Sequence, residues 1–351
     1  MSRKVWMIRH AMPDLPLGER WCVGGRTDLP LGRLGRLQAA LLPFVKELDG
    51  VKAVFASPLV RAIETARTLC ESPRIIPGLE EQDMGAWDGL SFREIRQRFP
   101  ELYAAREQDP ALMPEGAESN EAVRKRMAAG ILRCLRESEG DIAIVSHKGA
   151  IAAILGSREG LDYTSITCLD WASEALVPIR VGLRPHPALT ESVCQALLEA
   201  AGADERLQAH CRAVAALAEE LCDALAEKGL ALDRDTLRAA ALLHDIARDQ
   251  PEHAALGALW LRELGYPEAA DCVRQHHDPD STALSEAALL FLADKAVRGS
   301  ERVSVEERFA ASLIKCKTPE ARASHQRRLA AAQEILRNIR SVCGAQSFPE
   351  L

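Results

Sequence analysis

Basic excess is missing from this chain: 44 Lys and Arg stand against 51 Asp and Glu, leaving a net charge of −7. A surface that neutralises nucleic-acid phosphates usually has the opposite balance, so the composition argues against general nucleic-acid binding and leaves room only for a local basic pocket. No apolar run approaches the roughly 20 residues needed to span a bilayer. The opening MSRKVWMIRH has no signal-peptide core and no small-residue cleavage site. The ten cysteines form no CxxC pair, and several of them (Cys134, Cys194, Cys222, Cys272) fall among apolar helical residues, where a reduced thiol behaves as a small hydrophobe. These absences point to a cytoplasmic protein with reduced thiols. Low-complexity tracts and internal repeats are absent too.

What is present suits two domains. A length of 351 residues, 47% apolar and 27% charged, exceeds one ordinary core. In the first half, short apolar runs (Lys4 to Ile8, Val51 to Ala56, Asp141 to Val145) alternate with helical patterns, the signature of a mostly parallel sheet covered on both faces. Ligand sites in such sheets lie beyond the carboxyl ends of the strands. Arg9-His10, Ser57 to Arg61 and Ser146-His147 all follow strand ends, although they are far apart in sequence. The last strand-like stretch, VPIRVGLRPHP (Val177 to Pro187), closes the first domain. From Leu189 the pattern is wholly helical, with Gly229, Gly265 and Gly299 as expected helix stops and a frayed tail of about seven residues. The expected domains are 1–183 and 188–340.

Nine histidines are distributed unevenly in meaning. Seven sit inside chemical constellations, and only His186 and His325 are left over. Phosphoryl transfer needs a nucleophile, cations for the phosphate oxygens and an acid for the leaving alkoxide. His10 can attack phosphorus to give a phosphohistidine. Arg9 and Arg61 can grip phosphate oxygens bidentately, His147 can add a charge-assisted hydrogen bond, and Glu81 can protonate the leaving group. The ordered set Arg9-His10, Thr27 to Ala39 (TDLPL…G…QA), Ser57-Pro58…Arg61-Ala62…Glu64-Thr65, Glu81…Gly85-x-Trp87-x-Gly89, Glu118-Ser119 and Ser146-His147 resembles the histidine phosphatase superfamily, the phosphoglycerate-mutase-like group. That resemblance covers about residues 1 to 183. It implies a three-layer α/β sandwich, with His10 phosphorylated, Arg9, Arg61 and His147 in the phosphate pocket, Glu81 as proton donor, and no cofactor. Two departures stand out: Ala11 and Lys148 occupy positions where the family often has Gly. The compact length favours hydrolysis over mutase activity, with Phe92 to Gly116 as the expected substrate lid.

The helical half presents His210, His244-Asp245 and Asp294, each interrupting an apolar helical face. A buried, unpaired Asp is costly, and a divalent metal held by imidazole and carboxylate explains it better than packing. This order resembles the HD-domain metal-dependent phosphohydrolases over about residues 190 to 300, which implies an all-α helical bundle. The resemblance assigns His210, His244, Asp245 and Asp294 to a first metal. It assigns His253 and His276, with His277 as a further candidate, to a second, and Asp245 could bridge the two. Lys295 and Arg248 are candidate phosphate contacts.

The expected whole is a bifunctional phosphohydrolase acting on a small phosphorylated metabolite or nucleotide. One or two divalent ions (Mn, Fe, Mg, Zn or Ni) are expected in the HD half, with no membrane partner and room for a homo-oligomer. The competing expectation is a single phosphatase with a regulatory, ligand-binding HD module.

Overall fold

Residues Val5–Ile8 are apolar at every position because both of their faces are covered. In the computed structural model, which describes residues 3–16, 18–109, 111–173 and 175–351, they form the middle of strand β1 (Arg3–Arg9). Val5 and Met7 join one core, Trp6 and Ile8 another, as the two-residue period of a strand requires. The first unit, residues 1–187, continues through α1 (Arg33–Ala40), β2 (Ala53–Ala56), α2 (Val60–Arg67) and β3 (Arg74–Ile75). Then come α3 (Phe92–Arg98), α4 (Pro100–Gln108), α5 (Asn120–Arg136), β4 (Ile142–Ser146), α6 (Lys148–Leu155), β5 (Ile166–Ala172) and β6 (Ala175–Leu183).

The strands form one sheet in the order β3-β2-β4-β1-β5-β6. The first four run parallel, and β5 and β6 are antiparallel. Val123, Met127 and Ile131 of α5, with Ile151 of α6, pack on one face beside Val5 and Met7. Ala62 and Ala66 of α2 and Leu42 pack on the other beside Trp6 and Ile8. The result is a three-layer α/β sandwich. Its register builds the site: Arg9 pairs with Ser146 and Ala56 with Val145, so the residues after β1, β2 and β4 emerge level at one edge.

The second unit, residues 188–351, is a helical bundle. It comprises α7 (Glu191–Ala200), α8 (Glu205–Ala226), α9 (Arg234–Leu243), α10 (His253–Glu263), α11 (Pro267–Gln275) and α12 (Glu286–Lys295). A two-stranded hairpin of β7 (Val297–Arg298) and β8 (Glu301–Arg302) follows, then α13 (Val305–Leu313) and α14 (Pro319–Cys343). Thr190, Asp204, Asp233, Ser285, Ser304 and Thr318 each accept the N–H three residues on, fixing six helix starts. Each such cap is worth about 1 kcal/mol. Helix α12 is buried from Ala287 through Lys295 and packs against α8, α9, α11 and α14.

Two local expectations fail. Gly299 (φ +63°) turns the β7-β8 hairpin rather than stopping a helix. The tail is tied down, because Leu351 is buried and its carbonyl accepts from Val305 N at 3.1 Å. All ten cysteines are free, and burial pushes the thiols of Cys134, Cys194 and Cys272 up to about 12. Among the described residues no helix is long and apolar enough to cross a membrane.

Candidate active and metal sites

At the carboxyl edge of the sheet, His10 is 5% exposed. Its Nδ1 lies 2.7 Å from its neighbour's carbonyl, Ala11 O. A carbonyl only accepts, so the ring proton is assigned to Nδ1 and the Nε2 lone pair is left free. Arg61 Nε faces that lone pair at 3.4 Å. Burial, then Arg61 and Arg9, hold His10 well below the usual histidine range, so the imidazole is neutral.

Arg61 is fully buried, a costly placement that its surroundings offset. Its guanidinium donates to Thr27 O at 2.7 Å and to Gly24 O at 3.1 Å. That loop is shaped in turn by Asp88, which accepts from Gly24 N, Arg26 N and Thr27 Oγ1 at 3.0, 3.0 and 2.6 Å. Asp28 accepts from Val60 N at 2.8 Å, tying the same loop to the start of α2. Thr65 receives Ala11 N at 3.0 Å, and Gln38 receives Met12 N at 3.0 Å. The polar residues of the ordered motif are thus largely struts for the loops around His10.

His147 lies with its ring 4.8 Å from that of His10, and its Nε2 is 2.8 Å from Ser57 Oγ. Its Nδ1 is buried and has no hydrogen-bond partner among the described residues. Burial, then His10 and Arg61, lower the affinity of His147 for a second proton. Arg9 stacks on Tyr163 with its guanidinium 3.8 Å from the ring centroid and donates to Leu161 O at 2.8 Å, while its buried Nε has no partner.

Glu81 sits on the first turn of α6. Its Oε2 accepts from Gly149 N at 3.0 Å, and its Oε1 from Ala150 N at 3.0 Å and Gln82 N at 2.8 Å. A Cβ at Gly149 would stand 2.5 Å from Glu81 Oε1, so only glycine lets the carboxylate approach. The Glu81 backbone is held by Arg126 of α5, which donates to the carbonyls of Gly78, Glu80 and Glu81 at 3.0, 2.7 and 3.0 Å. Arg126 also pairs with Glu118 at 2.7 Å.

Arg9, His10 and Glu81 line a cleft of about 550 Å³, with His147 and Arg61 buried behind them. Residues of α3 and α4 (Phe92, Tyr103, Arg106) form part of its wall, where the lid was expected. Lys148 lines it as well, together with Arg158, which sequence reasoning did not single out. Asp88 and Arg126 were also missed as supports, because nothing in their local pattern marks them.

In the helical unit, the ends of α9, α10, α11 and α12 and the middle of α8 bring all seven expected metal ligands together. The donor atoms of His210, His244 and Asp294 lie within 4.8 Å of one another, as do those of His253, His276 and His277. Asp245 stands between the groups. Its Oδ2 is 3.5 Å from His244 Nε2, and its Oδ1 is 3.2 Å from His253 Nε2 and 3.6 Å from His276 Nε2. In three histidines Nδ1 faces a backbone carbonyl: His210 to Gly299 at 2.9 Å, His244 to Ala241 at 2.8 Å, His276 to Val273 at 2.6 Å. Each bond turns Nε2 inward as the free ligand atom, the outer arrangement that orients metal-binding imidazoles. His244 Nε2 and His276 Nε2 are buried without a hydrogen-bond partner. Those two orphaned nitrogens beside two buried carboxylates fit a pair of divalent ions. Gly257 lets α10 approach closely, since a Cβ there would lie 3.1 Å from Ile246 Cγ2. Arg248 donates to both oxygens of Asp245 (3.2 and 2.9 Å), and Lys295 Nζ lies 2.5 Å from Asp294 Oδ2.

Residues 5–182 match the model of the histidine phosphatase superfamily (branch 1), and residues 207–299 match that of the HD domain. A protein of Mycobacterium tuberculosis named as bifunctional is 31% identical over 194 residues, covering 51% of this chain and 53% of that one. The chain therefore spans about half the length of that relative. Glucosyl-3-phosphoglycerate phosphatase of Mycobacterium tuberculosis is 29% identical over 166 residues, covering 44% of this chain and 74% of the relative. The solved structure of the mycobacterial glucosyl-3-phosphoglycerate phosphatase has a TM-score of 0.45 at 25% identity, covering 53% of this chain and 99% of that one.

Proposed function

Because the chain belongs to the histidine phosphatase superfamily and carries an HD domain, we propose that it is a bifunctional phosphohydrolase. Its N-terminal unit hydrolyses a phosphomonoester through a phosphohistidine at His10, and its C-terminal unit is a metal-dependent phosphohydrolase for a small phosphorylated metabolite or nucleotide. The observation that carries the first half is the neutral, buried His10, with Nδ1 tied to Ala11 O and Nε2 left free among Arg61 and Arg9.

In that reaction His10 Nε2 attacks phosphorus, the N–P bond forms and the ester P–O bond breaks. Arg9, Arg61 and the Nδ1–H of His147 bind the phosphoryl oxygens as charge moves onto them. Glu81 gives its proton to the departing alkoxide. Its Oε2 accepts one backbone N–H and Oε1 accepts two, so Oε2 has the capacity to carry that proton. Water then attacks phosphorus, Glu81 takes a proton from it, the N–P bond breaks, and phosphate leaves with His10 neutral again.

In the helical unit, His210, His244, Asp245 and Asp294 would hold one ion and His253, His276 and His277 the other, with Asp245 shared. When bound, such ions supply an ionised water and Lewis-acid stabilisation of phosphoryl charge. Arg248 and Lys295 stand beside the two carboxylates and would orient them.

The test is phosphate release by single variants of the full chain. His10→Ala should abolish release in EDTA, together with the acid-labile label left by a ³²P-substrate. Asp245→Ala should abolish release that depends on added Mn²⁺. Full activity of either variant in its own assay would refute that half. Tight nucleotide binding by an Mn²⁺-loaded chain without turnover would support a regulatory HD module instead.

A further inference from the structure

The cleft above His10 carries more positive charge than one phosphoryl group needs. Arg9, Arg61 and His147 already surround the place of transfer, yet Lys148 and Arg158 face the same cavity. Lys148 follows His147 directly and opens α6, whose first N–H groups are taken by Glu81. Among the described residues Lys148 forms no ion pair and no hydrogen bond. Burial, then Arg9, work against its charge; Arg158 and Arg20 add to the repulsion, and Asp162 opposes it. Arg106 is disfavoured in the same way, by burial and then by Arg158.

Arg158 is held toward the cleft by one contact, 3.4 Å from Gln82 Oε1. Gln82 is 2% exposed and cannot turn freely, because its Nε2 donates to Glu118 O at 2.8 Å and Asn120 Oδ1 at 3.0 Å. Its oxygen is thereby committed to Arg158. Of the three carboxylates lining the cleft, Glu81 is engaged by three backbone N–H groups and Glu19 by Arg93 at 3.6 Å, and Glu107 forms no ion pair with Lys148 or Arg158 among the described residues. Lys148 and Arg158 repel one another and pair with no carboxylate among the described residues, and two such cations in one cavity are relieved by an anion bound there.

We propose that the substrate of the N-terminal site is a phosphomonoester bearing a second anionic group, a carboxylate or a second phosphate, and that Lys148 and Arg158 hold that group. The proposal rests on the reading of His10 as the site of phosphoryl transfer, and it narrows the substrate class for that site. Lys148 and Arg158 are specificity residues in it, and Gln82 is the positioning residue for Arg158.

Three matched phosphates test it on the full chain in EDTA: 3-hydroxypropyl phosphate, 3-phosphonooxypropanoate and propane-1,3-diyl bisphosphate. A charge-assisted contact at a half-open rim should make kcat/KM for at least one anionic-tail substrate about tenfold higher than for the neutral one. The carboxylate and bisphosphate arms separate the two sources of that charge. The preference should shrink with added KCl and collapse toward unity in the Lys148→Gln/Arg158→Gln double variant, chiefly through KM, while Arg158→Lys should keep part of it. Equal turnover of all three compounds, or a preference that survives in the double variant, would overturn the proposal. Calorimetric binding of the same compounds to His10→Ala keeps the two ideas apart. Tighter binding of an anionic-tail compound supports the second-anion site even if His10 is not the nucleophile, and equal binding refutes it whatever His10 does.

Discussion

Lowering the pH from 7.5 to 5.5 should weaken the N-terminal unit through two residues, His10 and His147. In the folded chain both resist a proton, first because they are buried and then because cations face them (Arg61 and Arg9 for His10; His10 and Arg61 for His147). Unfolded, both titrate near 6.5. Below that pH the unfolded chain binds protons that the folded chain refuses, so the stability is present above 6.5 and is lost as pH falls. With both folded-state affinities lowered, each histidine removes on the order of 1 kcal/mol between pH 7.5 and 5.5, and the pair on the order of 2 to 3 kcal/mol. That is a large part of the 5–15 kcal/mol typical of a folded domain. Urea unfolding in phosphate-free buffer, followed by tryptophan fluorescence, measures it. With Trp260→Phe in the background, the remaining tryptophans (Trp6, Trp21, Trp87, Trp171) all belong to the first unit. His10→Asn and His147→Asn should each remove about half of the pH-dependent loss. Equal losses in parent and variants, or an NMR titration of either imidazole at or above 6.5 in the folded protein, would refute the reasoning. The same depression should carry the acid limb of kcat/KM below pH 6.5.

Gly149→Ala should push Glu81 off the α6 turn, since the new methyl would stand 2.5 Å from Oε1. Turnover of alkyl phosphates should fall roughly 100-fold, and that of p-nitrophenyl phosphate, whose leaving group needs no proton, much less; equal losses would dismiss Glu81 as the acid. Asp88→Ala frees the 24–27 loop that holds Arg61, and competitive inhibition by inorganic phosphate should weaken about tenfold, with an unchanged inhibition constant as the contrary result. In the helical unit, metal content by mass spectrometry should reach two Mn²⁺ per chain. His210→Ala and His276→Ala should each lose one ion and Asp245→Ala should lose both; a single ion in the parent would remove Asp245 from a bridging role.

The candidate site residues could be picked out of the sequence because each constellation repeats a residue type at a structural break. His10, Ser57 and Ser146-His147 each follow a β-branched or apolar run, and a run apolar at every position implies a strand covered on both sides. His244-Asp245 and His276-His277 are likewise polar pairs at the ends of apolar helices. Their supports were not legible. Arg126 reaches back 46 residues to Glu80 O, and Asp88 reaches 61 residues to Thr27; such contacts exist only once the chain has folded. The β7-β8 hairpin escaped for another reason: two-residue strands show no periodicity, and Gly299 serves as well in a turn as at a helix end. Yet the carbonyl of Gly299 lies 2.9 Å from His210 Nδ1, so a segment with no readable pattern sets the orientation of a candidate ligand.

The phosphate grip and the outer cleft come from different kinds of structure. His10, Ser57 and His147 leave adjacent strands whose register, Arg9 to Ser146 and Ala56 to Val145, cannot slip by one residue without sending every core side chain to the opposite face. Arg106 and Tyr103, by contrast, ride on α4, and Arg158 on the turn beyond α6, outside that register. For an engineer the chain is thus a fixed chassis with replaceable fittings. Residues 92–108 and 156–163 can be exchanged without disturbing that register, whereas a single insertion in β1 would scramble both cores and the placement of His10 together.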